Sequence, residues 1–319
     1  MPIITIRDAQ SGAEARIFSE MGFNCFEFRA PVAGRMVEVL DAEPDFTGGN
    51  SPPSRSGIPL LFPFPNRIRG AKYSWEGREY HLTGVRDDKQ GNAIHGFVID
   101  RPWRITAQKA ECVTGEFQLS RDAPDRRPLW PADFIIEVRY GIKGSAMRCD
   151  IRIANADRVP LPWGFGTHSY FRVPLAPEST IADCLVQAPA SQMWELINCL
   201  PTGKRVAVSA AADLREGKLL SGLKLDDVLT GVTARDGAIE SRVVDAKAGL
   251  QVTQFTDAIF RELVAFTPAH GRSVCLEPYT CVTDAMNLEP QGINAGLQVL
   301  PPGGEIRTWF EFHVGQVVV

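Results

Sequence analysis

Histidine and glutamate are the residue types that can exchange protons near neutral pH, and in this chain a few of them sit in unusual company. The stretch GFGTHSYFRVP, residues 164 to 174, sets a histidine among glycines and aromatics. As a strand of period two it would place Gly164, Gly166, His168, Tyr170 and Arg172 on one face, and Phe165, Thr167, Ser169 and Phe171 on the other. Two glycines ahead of His168 would leave room beside the imidazole for a ligand or a close backbone. A histidine satisfied by core neighbours would look the same in sequence.

Three further places put a polar group in an apolar or glycine-marked setting: Asn66 and Arg67 in NRIRG, His95 in NAIHGF, and Glu277 in SVCLEPYT. In the last, Ser273, Cys275, Glu277 and Tyr279 share a strand face opposite Val274 and Leu276. Pro278 should end the pairing there and leave Glu277 at a strand end, where a carboxylate reaches either a cleft or plain solvent. Nucleophilic catalysis finds no support, because no GxSxG elbow occurs and no cysteine stands beside a histidine. GFG at 164 to 166 is followed by no helix and no GK[ST], so it is not a phosphate loop. What remains is acid and base chemistry by His and Glu, with arginine and aromatics to hold a polar ring.

The elements that must position these groups read as strands. MVEVLDA, FIIEVRYGI, MRCDIRIAN, LQVTQF, LVAFTP, SVCLEPY and IRTWFEFHV are rich in β-branched and aromatic residues, several alternating apolar with polar. Glycine (28) and proline (23) punctuate them, and no parallel βαβ rhythm or long helical period appears. Residues 209 to 222 could hold a turn or two of helix. The expected fold is all-β, a large antiparallel β-sandwich, with residues 1–319 as one domain. Between 47 and 70, five prolines (Pro52, Pro53, Pro59, Pro63, Pro65) rule out a central strand, yet Leu60, Leu61, Phe62 and Phe64 call for burial. A rigid loop packed on the sandwich and ending in Asn66 and Arg67 reconciles the two, whether Arg67 binds a ligand or only makes a salt bridge.

Bulk properties exclude several classes. The 319 residues carry a net charge of -4 with no basic block or stripe, which argues against nucleic acid and anionic membranes as partners. The N-terminal MPIITIRDAQSG lacks a signal-peptide pattern and no run of 18 apolar residues occurs, so a cytoplasmic protein is expected. Seven cysteines (Cys25, Cys112, Cys149, Cys184, Cys199, Cys275, Cys281) without CxxC pairs read as buried reduced thiols. Five scattered histidines (His81, His95, His168, His270, His313) offer no metal-ligand spacing, so no metal is expected.

Taken in order, LFPFPNRI (61–68), NAIHGF (92–97), THSYF (167–171), WELINCLPTG (194–203), LKLDDVLTGV (223–232), LEPYTCVTDAMN (276–287) and LPPGGE (300–305) resemble the aldose 1-epimerase (galactose mutarotase) family. The resemblance runs from about residue 20 to 315. It implies the galactose mutarotase-like supersandwich, a monomer or homodimer, a monosaccharide substrate and no cofactor. It implies Glu277 as general base on the anomeric hydroxyl and His168 as the acid that protonates the ring oxygen. His95, Arg67 and Asp226 would bind sugar hydroxyls, with Asn66 a weaker fourth. The implied reaction is interconversion of the α and β anomers of a free aldose. HGF, where galactose mutarotases usually have HGG, leaves the sugar open. A hexose-6-phosphate mutarotase is the alternative, with Arg55, Arg69 and Arg172 as phosphate partners on charge alone. A noncatalytic carbohydrate-binding protein and a two-carboxylate glycosidase using Asp226 or Asp227 beside Glu277 are the remaining readings.

Overall fold

A computed structural model describes residues 3–317, and the alternation seen in the sequence resolves into three main antiparallel sheets. The largest has nine strands, ordered Arg104–Gln108, Cys112–Gln118, Phe134–Lys143, Ala146–Asn155, Glu305–Gln316, Leu250–Asp257, Ala238–Asp245, Cys184–Gln187 and Lys218–Leu219. Its long strands keep period two. Phe134, Ile136, Val138, Tyr140 and Ile142 are buried while the residues between them are partly or fully exposed, so one face meets the core and the other meets water.

The second sheet runs Leu200–Ala207, Ala190–Ile197, Asp226–Val232, Glu262–Phe266, Ser273–Tyr279, Gly166–Thr167 and Leu60–Leu61, with Tyr170–Arg172 also paired to Ser273–Tyr279. A four-stranded sheet of Ile3–Arg7, Glu14–Phe18, Asn24–Val32 and Arg35–Glu38 completes the architecture. One hydrophobic cluster reaches from Ile4 to Val314 across the layers. Edge-to-face rings, Phe171 on Phe312 at 4.9 Å and Phe62 on Phe134 at 4.6 Å, bridge the second sheet and its proline-rich segment to the nine-stranded sheet.

Ser273–Tyr279 is buried along its whole length, unlike the one-sided strands of the large sheet. Two sequence expectations fail there. Pro278 does not end the pairing, since it lies opposite Leu263 and Tyr279 still pairs with Glu262 and Gly166. Glu277 therefore stands inside a central strand. The proline is tolerated because the neighbouring chain interrupts itself: Gly166 pairs with Tyr279 and Tyr170 with Cys275, but residues 167–169 leave the ladder between them. The backbone amide of His168 turns away to the carbonyl of Pro59 at 3.0 Å. That interruption opens the sheet beside Glu277.

The segment 47–70 is the strap its composition suggests, with two 3-10 turns and the short strand Leu60–Leu61 at the sheet edge. Phe62 and Phe64 pin it, Phe64 stacking on Trp130 at 5.8 Å and meeting Phe97 edge-on at 5.8 Å. Each buried phenylalanine contributes about 1.5–3 kcal/mol. Residues 209–222 form turns and the two-residue strand Lys218–Leu219, not a helix. Asp213 binds the backbone amide and guanidinium of Arg215, which favours a turn over helix propagation in so short a stretch. Among the described residues no helix is long and apolar enough to cross a membrane.

Candidate functional site

The break in the ladder brings His168 and Glu277 together, with Nε2 of the imidazole 3.3 Å from Oε1 of the carboxyl. They come from neighbouring segments of the polypeptide and sit side by side. His168 is 8% exposed and Glu277 2%. Below His168 the Tyr170 ring lies parallel at 4.7 Å, and Phe266 and His95 meet it edge-on at 6.0 and 5.7 Å. The Tyr279 hydroxyl donates to the other carboxyl oxygen of Glu277 at 2.5 Å.

The glycines ahead of His168 serve a different purpose from the one their position suggested. A methyl on Gly166 would lie 2.2 Å from the Tyr279 ring, and one on Gly164 would lie 2.3 Å from Cys281 Sγ. They make room for packed side chains, not for a ligand beside the imidazole. Through Tyr279 the effect still reaches the site, because the ring that fills the Gly166 slot carries the hydroxyl that holds Glu277.

Burial governs the titration of the pair. It pushes Glu277 well above the usual carboxylate range, opposed by the Tyr279 hydrogen bond and the Arg67 charge, while the charge of Asp226 adds to the rise. It pulls His168 down to about 3. The 3.3 Å contact would be an ion pair only with the imidazole protonated, and burial disfavours both charges. Burial thus favours the neutral form of both partners, a protonated carboxyl and an unprotonated imidazole.

His95 enters from the far side of the strap. Its amide donates to the carbonyl of Asn66 at 2.7 Å, and Arg67 pairs with Ile94 across the short strands Arg67–Ile68 and Ala93–Ile94. His95 and Gly96 both take left-handed φ, 66° and 74°. Gly96 must be glycine twice over, since a methyl there would also lie 2.2 Å from the Phe62 carbonyl oxygen. His95 is held neutral, chiefly by burial and then by the charges of His168, Arg86 and Arg67. Among the described residues neither His95 Nδ1 nor His168 Nδ1 has a hydrogen-bond partner.

Arg67 is fixed by two acceptors, Asp88 Oδ2 to its Nε at 2.7 Å and Asn66 Oδ1 to Nη1 at 2.9 Å. Burial works against the Asp88 charge, but hydrogen bonds from Asn92, Arg67 and Gln90 win and bring its carboxyl to about 2. Asp226 is exposed on the strand two places from Glu277, close enough for its charge to act on the carboxyl, and its Oδ2 lies 3.9 Å from Cys199 Sγ. Asp227 points the other way, half-buried and raised by that burial. The six residues singled out in the sequence, Asn66, Arg67, His95, His168, Asp226 and Glu277, thus lie within reach of one another's hydrogen bonds, ring contacts or charges. The arginines considered for phosphate do not gather. Arg69 is bound to Asp284 and the carbonyl of Pro201, and Arg172 is exposed at the end of its strand, while Arg55 stands near Tyr170.

Sequence reasoning missed Tyr279 as the partner of Glu277, although the i to i+2 spacing on one strand face carried that signal. Asp88, Arg86 and Cys199 had none. Cys199 is also the one cysteine of the seven that is not buried. The Cys275 sulfur, a His168 nitrogen and a Glu277 oxygen lie within 4.8 Å of one another. That set could in principle ligate a cation, but burial raises the Cys275 thiol well above its ordinary value and keeps it protonated.

Comparison with known proteins gives the family and the fold. The family model for aldose 1-epimerase matches residues 26–313. A protein of Escherichia coli (strain K12), YihR, described as uncharacterized, is 26% identical over 258 residues, 80% of this chain and 78% of its own. Galactose mutarotase of Rattus norvegicus is 27% identical over a shorter stretch, 47% of this chain and 43% of that one. Among solved structures, a galactose mutarotase-like protein from Clostridium acetobutylicum superposes with a TM-score of 0.85 at 21% identity, covering 98% of this chain and 95% of that one. A GalM/aldose epimerase homologue from C. elegans gives 0.82 at 18%, covering 99% of both. The fold is therefore the galactose mutarotase-like sandwich, and the chain belongs to the aldose 1-epimerase family.

Proposed function

We propose that this protein is a mutarotase that opens and recloses the hemiacetal ring of an aldose, with Glu277 and His168 as the proton-transfer pair. The observation that carries the reading is the 3.3 Å separation of Nε2 and Oε1. A hemiacetal bears its hydroxyl oxygen and its ring oxygen on the same carbon, so the two groups that serve them must be neighbours. A glycosidase instead places two carboxyl groups about 5–9.5 Å apart. A protein that only bound sugar would have no use for a proton-exchanging pair at this distance.

The step balances within the pair. With sugar bound, the shared proton moves from Glu277 to His168. The carboxylate then takes the proton of the C1 hydroxyl while the bond from C1 to the ring oxygen breaks, its electrons leaving on that oxygen, which takes the proton from His168. The products are the open-chain aldehyde, neutral His168 and protonated Glu277. That is the charge state burial prefers, so ring opening discharges a costly separation. Rotation about the C1–C2 bond and the reverse transfers give the other anomer. His95, Arg67, Asn66 and Asp226 hold hydroxyls, the two unpartnered Nδ1 atoms offering further sites.

Polarimetry of freshly dissolved α-aldoses tests this. Wild-type protein is expected to speed the decay of excess rotation. Glu277→Gln and His168→Asn should each lose about 10²–10⁴-fold, the range for a positioned proton transfer. Full activity in both variants would end the assignment.

A further inference from the structure

The proton-transfer pair has a third neighbour that the reaction leaves unused. Cys275 stands on the same face of the strand Ser273–Tyr279 as Glu277, and across the ladder it pairs with Tyr170, whose ring lies on His168. Its sulfur, a nitrogen of His168 and an oxygen of Glu277 lie within 4.8 Å of one another, and the three residues are 0%, 8% and 2% exposed. Among the described residues no other group of three or more His, Cys, Asp or Glu side chains meets this closely. Spacing along the sequence could not show it, because the strand ladder brings distant segments together.

Thiolate, imidazole and carboxylate are the donors of a zinc-type cation, whereas Mg²⁺ and Ca²⁺ take oxygen shells. The spacing suits such a cation. Bonds of about 2.0–2.1 Å to nitrogen and oxygen at the tetrahedral angle set those two donors about 3.3 Å apart, and the separation of Nε2 and Oε1 is 3.3 Å. Charge suits it too, since one thiolate and one carboxylate cancel a dication and the complex buries no net charge. By itself the buried thiol keeps its proton; a thiophilic cation displaces it, the protons on sulfur and carboxyl leaving to solvent. The donors are also held from behind. The Tyr279 hydroxyl occupies Glu277 Oε2 at 2.5 Å while Oε1 faces His168, and the Tyr170 ring lies parallel to the imidazole at 4.7 Å. Of the charges that act on Glu277, Arg67 opposes a cation and Asp226 favours one.

We propose that Cys275, His168 and Glu277 form a site for a zinc-type divalent cation whose binding stops the reaction by occupying its acid and its base together. The inhibition rests on the mutarotase reading; the cation site does not. The test titrates the whole protein, stripped of metal by chelator, with Cd²⁺, which gives an ultraviolet charge-transfer band when a thiolate binds it. One equivalent should raise the band in wild type and in Cys199→Ser, and not in Cys275→Ser. Cys199, 3.9 Å from Asp226, is the competing thiol, so a band that survives Cys275→Ser or disappears in Cys199→Ser would overturn the site. Glu277→Gln and His168→Asn keep the thiol and should each weaken Cd²⁺ binding by at least about tenfold. Unchanged affinity in both would overturn the site even if Cys275→Ser does not fold. Saturating Zn²⁺ should slow wild-type anomer exchange by about 10²–10⁴-fold, as loss of either group does, with excess aldose restoring the rate and Mg²⁺ having no effect. A full rate with the cation bound at Cys275 would refute the inhibition. If no aldose is accelerated, the mutarotase reading fails by itself and the cadmium band alone decides the site.

Discussion

Replacing Tyr279 with phenylalanine removes one hydroxyl and leaves the ring in its Gly166 slot. The hydroxyl donates to Glu277 at 2.5 Å with both residues buried, 0% and 2% exposed. A hydrogen bond to a charged group is worth about 1.5–3 kcal/mol, and one pKa unit is about 1.36 kcal/mol, so its loss should raise the Glu277 carboxyl by about 1–2 units. The sign follows from the one-proton pair. Its acid limit is set by His168 at about 3 and its alkaline limit by Glu277, already raised. Within that window the reactive form has the proton on His168 and Glu277 ionised, and disfavouring the carboxylate makes this form scarcer. Tyr279→Phe should therefore lower kcat/KM on the plateau by about tenfold to a hundredfold and move the alkaline limb upward by about 1–2 units, with the acid limb in place. Anomer exchange across pH, corrected for the uncatalysed rate, reads both effects. An alkaline limb that stays put or moves down would refute the coupling, and a plateau loss without a shift would reduce Tyr279 to a packing role.

Two further outcomes follow from the same geometry. Gly166→Ala drives a methyl to 2.2 Å from the Tyr279 ring in a buried sheet, so it should cost about 1–3 kcal/mol in denaturant unfolding and lower activity with it; an unchanged midpoint would show that the ring can shift freely. Asp88→Asn weakens the clasp on Arg67 while leaving the catalytic pair alone, so KM should rise several-fold with kcat nearly kept; a large fall in kcat at unchanged KM would contradict a binding role for Arg67.

The sequence by itself determined the class of fold and the types of residue in the site. Period-two runs such as FIIEVRYGI and MRCDIRIAN can bury one face only as strands, and the prolines and buried phenylalanines of 52–65 can be reconciled only as a strap. Tertiary structure decided everything that depends on which chain lies beside which. That Pro278 continues a strand follows from the neighbour's interruption at 167–169, and that Gly166 serves Tyr279 follows from their pairing across more than a hundred residues. The preference of His168 and Glu277 for their neutral forms likewise comes from burial by the surrounding fold. Local alternation is written in adjacent residues, whereas burial, charge coupling and register are properties of non-local contacts that no short stretch of sequence contains.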